Sequence, residues 1–542
     1  MPLPSGLPLV AVAVGVVLGL ALSACGTAAP ARDPDAGVVS LRMATLTDES
    51  TLQPYSYVNG YPGWTLLTLV YDTLSILGAD NEPRPWLATG DTTSADGLVH
   101  TITLRGDVTW HDGRALTSAD VAFTFGYYQT HTHGRWTPAV RDIARIETPD
   151  ATTVVVELRA PDPSFARRLM ADVPIIPQHV WHDVTAPKAF AGRIGSGLFR
   201  LTEYRPGQSY RLSANREHFS GPPNVDELLI SIVNDPATVF AALEAGEIHA
   251  TTLELAPELV ARFRARAGLE VVGGPGYSTT VLQFNTTRPP WNQTVVRQAV
   301  ALAIDTRLLV DTLLLGFGTP GSPGWFHPGS PHHDPAVTSQ ADPSRARTML
   351  DRAGYVDGDR DGVREAGGVP MAPVLLVQAN NPTRVRAAEL IAAAVKAIGI
   401  DARVRAQEAG SVTGTVWPDL DVTRGRDYDW TMFGWAAPQL VDPLRVVSLV
   451  DSDVRYGTNN IGGYESPEAD ALAARLRGTL DLTVQRDLLR QLERVIARDR
   501  PFVTLWYPDL TYAYDPAAYD SWVFQQGQGL FNRLSFVRGG TR

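Results

Sequence analysis

The sequence predicts an α/β protein in two lobes, built by a chain that leaves the first lobe, forms the second and comes back. Three observations point there. The chain has 542 residues, more than one hydrophobic core normally serves. A strand–helix–strand unit lies late in the sequence. Val374 to Gln378 is a short apolar run, Ala388, Ile391, Val395 and Ile398 stripe one helix face, and Ile400, Ala402 and Val404 alternate once Gly399 has stopped the helix. Right-handed crossover makes its strands parallel. Finally, Phe502 to Pro508 follows the last predicted helix as a returning strand.

Composition narrows the class. A hydrophobic fraction of 44% and a charged fraction of 19% are those of a globular protein. The net charge of −11 includes no block of like charges, so no nucleic-acid partner is predicted. Residues 1–25 read as a targeting segment, because the apolar run Leu7 to Leu20 is too short to span a bilayer. It ends in Leu22-Ser23-Ala24-Cys25-Gly26, similar to a bacterial lipobox, in which Cys25 is lipidated and anchors the chain to the membrane. Met1 to Gly6 departs from that pattern in lacking Lys and Arg. Cys25 is the only cysteine, so no internal disulfide can form. Residues 26–37, small, polar and Pro-containing, read as a flexible tether.

Along the rest of the chain, Val38 to Met43 is the first predicted strand. Tyr55 to Trp64 follows as an aromatic, glycine-rich loop with four exposed aromatics, where stacking on a ligand and plugging the lobe base are competing readings. Leu98, Ile102 and Leu104 alternate after the reversal at Ala95-Asp96-Gly97, and Val108 and Trp110 continue the pattern. Thr117 and Asp120 have capping-box spacing, so a helix starts at about Ser118. A second hairpin covers Ile146 to Leu158, turning at Pro149-Asp150. Val239 to Leu243 forms a short helix capped by Gly246, and Tyr277 to Asn285 a strand leading to helices at Val296 and Asp305. Tyr428 to Trp435 is a further strand, and one helix runs from about Pro467 to Ala497.

The run LATGD…DGLVHTITLRGDVTWHDGRALTSADVAFTF, Leu87 to Phe125, closely resembles the signature of the peptide/nickel class of extracytoplasmic solute-binding proteins, family 5, the capture components of ABC importers. Arg193 to Leu201 resembles a second block of that family, and the likeness covers about residues 40 to 535. It implies a periplasmic-binding-protein-like fold of the large, three-subdomain class II type with two hinge strands. Lobe I would hold residues 38–71, 185–275 and 503–542, an edging subdomain 72–184, and lobe II 276–502, with the outgoing hinge near Gly273 to Gly276.

The same resemblance implies a monomeric, lipid-anchored receptor that captures a peptide-like solute between its lobes and hands it to permease and ATPase subunits. Non-peptide cargo (a nickel chelate, an opine or an oligosaccharide) is the alternative. The ligand-binding candidates are Trp435, at a strand end facing the cleft, Tyr57, Asn59, Tyr61 and Trp64 on the aromatic loop, and Phe284 and Asn285. In peptide-binding relatives an Asp soon after the Gly-Trp pair holds the solute's amino group. Here Ala437 stands in that place, which argues against a peptide with a free amino terminus. Asp442 matches a later Asp-Pro and reads as structural.

Other chemistries are weaker. Gly316 to Gly321 matches G-x-G-x-x-G but follows a helix, and Pro320 prevents a helix from opening beneath a phosphate. Ser196 between two glycines lacks the nucleophile-elbow context, so no cofactor and no catalytic set is predicted, and an extracytoplasmic hydrolase is the less favoured function. Asp357, Asp359 and Asp361 open like a calcium loop, yet its twelfth position is Gly368; Glu365 would serve only in another loop geometry, and a solvated acidic turn competes. His131 with His133, and His332 with His333, read as exposed loop histidines rather than metal ligands.

Overall fold

The computed structural model describes residues 40–56, 62–338, 340–436 and 442–538. Its frame is one mixed sheet of twelve strands, named here in chain order: β1 (Leu41–Thr45), β2 (Phe199–Arg205), β3 (Ser209–Ala214), β4 (Glu227–Ile232), β5 (Ala250–Thr251), β6 (Glu270–Pro275), β7 (Thr279–Phe284), β8 (Gly318–Pro320), β9 (Val374–Gln378), β10 (Arg403–Gln407), β11 (Trp430–Trp435) and β12 (Phe502–Tyr514). Their order is β10-β9-β11-β7-β12-β5-β1-β4-β3-β2, with β6 and β8 also paired to β12.

β12 joins two half-sheets. Its first part, to Trp506, lies antiparallel to β7, and its second part, Asp509 to Tyr514, antiparallel to β6. In one half, β1 is parallel to β4 and β5. In the other, β9 is parallel to β10 and β11, as right-handed crossover through the helix Pro382–Lys396 requires. Alternation along β7 and β11 feeds two cores: Val281 and Trp435 face one cluster, while Leu282, Phe284, Trp430 and Met432 face the other. The result is an α/β fold of two lobes, edged by a separate four-stranded antiparallel sheet of Ala88–Thr93, Val99–Leu104, Thr153–Leu158 and Ile143–Asp150.

Many local expectations hold. The helix Ser118–Thr130 starts at the expected residue, and Asp120 closes the capping box by accepting from the Thr117 backbone N–H at 2.9 Å. The hairpin turns at Asp150, and Gly97 and Gly246 take positive φ where a reversal and a helix end need them. Gly195 and Gly197 are pressed on the end of the helix Gly63–Val70, where a Cβ would approach the Val70 carbonyl oxygen to 2.0 Å and the Leu69 carbonyl oxygen to 2.5 Å respectively.

Several do not. The long last helix is two, Pro467–Arg477 and Leu482–Asp499, because Gly478 ends the first and the Asp481 carboxylate caps the second through the N–H groups of Thr483 and Val484. Tyr55 and Trp64, expected on an exposed loop, are 6% and 5% exposed, and Gly63–Val70 is a fully buried helix. Pro62 favours that helix start, and Gly63 is needed because a Cβ there would meet the Glu49 carboxylate at 2.6 Å. Val108 and Trp110 are buried as expected of a strand, but outside any strand. The returning strand continues beyond Pro508 to Tyr514. Among the described residues no helix is long and apolar enough to cross a membrane.

Candidate functional site

The strand directions locate the site. Ligands of open α/β sheets sit beyond the carboxyl ends of parallel strands. β11 ends at Trp435, level through Thr279 and Thr280 with Trp506 of β12. On the other side β5 starts opposite Tyr514, and the chain after it advances until the Leu255 N–H bonds the Thr511 carbonyl at 2.7 Å. The carboxyl ends of both lobes therefore converge on residues 506–511, the middle of β12. Five strand steps of about 3.3 Å make this stretch roughly 17 Å long.

Trp435 stands at that point. Its ring is 5% exposed, packed on Phe433 with centroids 5.2 Å apart and on Trp417 at 6.2 Å. The indole N–H groups of Trp435 and Trp417 have no protein acceptor among the described residues. Gly434 beside it is covered by the Arg384 guanidinium. Glu254, the residue before Leu255, has its carboxyl pushed up to about 7 by burial.

The other sequence candidates are distributed differently. Tyr57, Asn59 and Tyr61, like Cys25 and Ala437, lie outside the described residues. Trp64 packs tilted against Trp136, with the Arg135 guanidinium 4.3 Å over its ring. Phe284 and Asn285 lie away from this point. Because β7 is antiparallel to β11, Phe284 pairs with Trp430 at the far end of the strand from Trp435. Both residues are fully buried. Phe284 meets Trp430 edge to face at 5.6 Å, and the Asn285 amide donates to the carbonyls of Arg426 and Tyr428 at 2.8 Å each. Their side chains are spent on the fold. Period-2 alternation marks which face a residue takes but not which end of the strand meets the cleft.

Asp357, Asp359, Asp361 and Glu365 bring one ligand atom each within 4.8 Å of one another, the different loop geometry that the missing twelfth-position acid demands. Backbone N–H groups of Gly362 and Gly358 already bond Asp357 and Glu365. The histidine pairs are not exposed loop groups. His131 stacks on Tyr127 at 4.0 Å and His133 on Trp136 at 3.9 Å, while His333 meets the buried Glu493 at 3.0 Å. Burial lowers His133 and His332 to about 4 each.

Two features escaped sequence reasoning. Ser196 Oγ donates to Asp72 at 2.9 Å in a buried network with His218, Trp86 and Arg533. The Asp442 carboxylate, besides capping Pro443–Val446, accepts from Ser164 Oγ at 3.2 Å and so ties the second lobe to the edging subdomain. Neither contact has a local pattern to reveal it, since its partners stand far apart in the chain.

Comparison with known proteins agrees with this architecture. The model of the bacterial extracellular solute-binding proteins, family 5, matches residues 82–457. The oligopeptide-binding protein AppA of Bacillus subtilis is 25% identical over 450 residues, covering 80% of each chain. The nickel-binding periplasmic protein of Escherichia coli is also 25% identical, over 78% of this chain and 81% of its own. The crystal structure of CtaP from Listeria monocytogenes superimposes with a TM-score of 0.78 at 21% identity, covering 93% of this chain and 99% of that one.

Proposed function

The chain belongs to the bacterial extracellular solute-binding proteins of family 5, capture components of ABC importers, and from that premise we propose that it delivers a peptide-like solute, bound at the middle of β12, to a membrane permease. The observation that carries this reading is the convergence of both lobes' strand ends on residues 506–511, with Trp435 at one edge. An aromatic ring at such a strand end offers broad contact to a peptide backbone at small entropic cost. The B. subtilis relative is an oligopeptide-binding protein, and the nickel-binding relative of E. coli, equally identical, marks the alternative cargo.

Residues 38–71, 185–275 and 503–542 serve as lobe I, 72–184 as its edging subdomain and 276–502 as lobe II. The links between β6 and β7 and along β12 then act as hinges. Lipidation of Cys25 would hold the receptor, as a monomer, at the outer face of the membrane. The protein releases its cargo unchanged, without turnover.

Mass spectrometry of solute released from natively purified protein tests the assignment, with peptides expected and a chemically altered product or a metal chelate counting against it. Trp435→Ala is expected to weaken binding of the recovered solute about tenfold or more and, because the ring is buried in a core cluster, to lower the melting temperature as well. Unchanged affinity removes Trp435 from the site.

A further inference from the structure

Arginines gather at the seam between the edging subdomain and the helix Leu482–Asp499. Two contacts fix that seam. Leu480, just ahead of the helix, and Pro161 close on Gly97, where a Cβ would meet Leu480 Cδ1 at 2.7 Å and Pro161 Cβ at 3.2 Å. Three residues beyond Pro161, Ser164 Oγ donates to the Asp442 carboxylate at 3.2 Å. Arg167 comes next along this edge, in the helical turn Ala166–Met170, where it donates to the Asn81 carbonyl and to Glu82 at 2.7 Å. Its side chain is 18% exposed.

On the helix, Arg486 and Arg490 stand one turn apart on the same face, so their charges repel. The loop Pro331 to Asp334 is fastened along that face. Arg490 donates to the Pro331 carbonyl at 3.4 Å, His333 meets Glu493 at 3.0 Å, and Arg494 pairs with Asp334. Those pairings occupy both carboxylates, and Asp334 attracts Arg490 only at longer range. Among the described residues Arg486 has neither ion pair nor hydrogen bond, and Arg490 has no ion pair. His332, in the middle of the loop, is where the charges converge: besides burial, the fields of Arg167, Arg486 and Arg490 hold it neutral. Its Nδ1 and Arg490 Nε are buried without a partner among the described residues. Three arginines thus share one carboxylate at ion-pair distance, Glu82, in a chain whose net charge is −11. Such a local excess of positive charge disfavours the closed seam and attracts an anion.

We propose that the seam binds a small tetrahedral oxyanion, phosphate or sulfate, held by Arg486 and Arg490 on the helix and met by Arg167 from the subdomain. Each guanidinium presents a planar pair of N–H donors that matches two such oxygens, and a dianion between the three groups cancels their repulsion. A carboxylate, with two oxygens and one charge, serves three guanidinium groups less well. Because the anion touches both sides, it favours the arrangement in which subdomain and helix meet. The site takes a free ion and does not depend on the identity of the transported solute.

The test is calorimetric titration of the full chain, without added solute, with sodium phosphate, sodium sulfate and sodium acetate, each against sodium chloride at the same ionic strength. Phosphate or sulfate is expected to bind saturably, about one ion per chain and about tenfold or more tighter than acetate. Arg486→Gln, Arg490→Gln and Arg167→Gln should each weaken that binding about tenfold or more, while Arg490→Lys keeps part of it. Melting temperature separates a binding role from a structural one. Without oxyanion Arg486→Gln should melt no lower than the wild type, since it removes a repelling charge, and only the wild type should gain clearly from added phosphate or sulfate. Absence of saturable binding by either ion, equal binding of acetate, or unchanged affinity in the Arg486 and Arg490 variants overturns the proposal. Unchanged affinity in Arg167→Gln overturns the bridge across the seam.

Discussion

Asp72 shows how one buried charge organises the first lobe. Its carboxylate accepts from Trp86 Nε1 at 2.7 Å and from Ser196 at 2.9 Å, with His218 at 3.4 Å and Arg533 at 3.3 Å. Burial alone would raise its pKa, but the charge and hydrogen bond of His218, with the charge of Arg533, bring it down to about 2. The folded value lies below the unfolded one, so this stabilisation is fully present above about pH 4 and is lost as pH falls towards 2. Asp72→Asn leaves Arg533 buried without its counter-charge and is expected to cost about 3–5 kcal/mol in urea unfolding. The variant should also show a shallower decline in stability between pH 4 and 2 than the wild type, to which other carboxylates with lowered pKa still contribute. Glu254 has the opposite sign: with its pKa raised to about 7, the solute-free protein loses stability as pH rises from the ordinary glutamate range towards 7.

At the scale of elements, caps and turns decide how much can be read from sequence. Asp481 fixes the start of the helix Leu482–Asp499, and Asp481→Ala is expected to lower stability by about 1 kcal/mol, seen as a shift in urea midpoint without a change in slope. The spacing of Thr117 and Asp120 was legible because a capping box is local. The break at Gly478 to Asp481 was masked by apolar residues on both sides that share a helical period. Gly63 reads as a loop residue until the Glu49 carboxylate, which excludes a Cβ there, is in view. Pro508 suggests a strand end because it lacks an N–H. It is tolerated inside β12 because the strand changes partners there, from β7 to β6. Of the site, the sequence marked Trp435 by its strand-end position but passed over Arg384 and Glu254. Both look like ordinary surface charges, and among the described residues neither forms an ion pair.

For the whole molecule, contacts among the described residues join the second half of the sheet to the subdomain edging the first. Ser164 donates to Asp442 at 3.2 Å, and Leu480 Cδ1 lies 2.7 Å from where a Cβ on Gly97 would stand. Both are small contacts, of the size that a hinge motion can break and remake. Closure of two rigid lobes on a solute held at the middle of β12 is the proposed working motion. Small-angle X-ray scattering on protein stripped of solute by mild denaturation and refolding, then reloaded with the solute it releases, tests this most directly. A smaller radius of gyration on reloading is the predicted result, and superimposable curves with and without bound solute would contradict it.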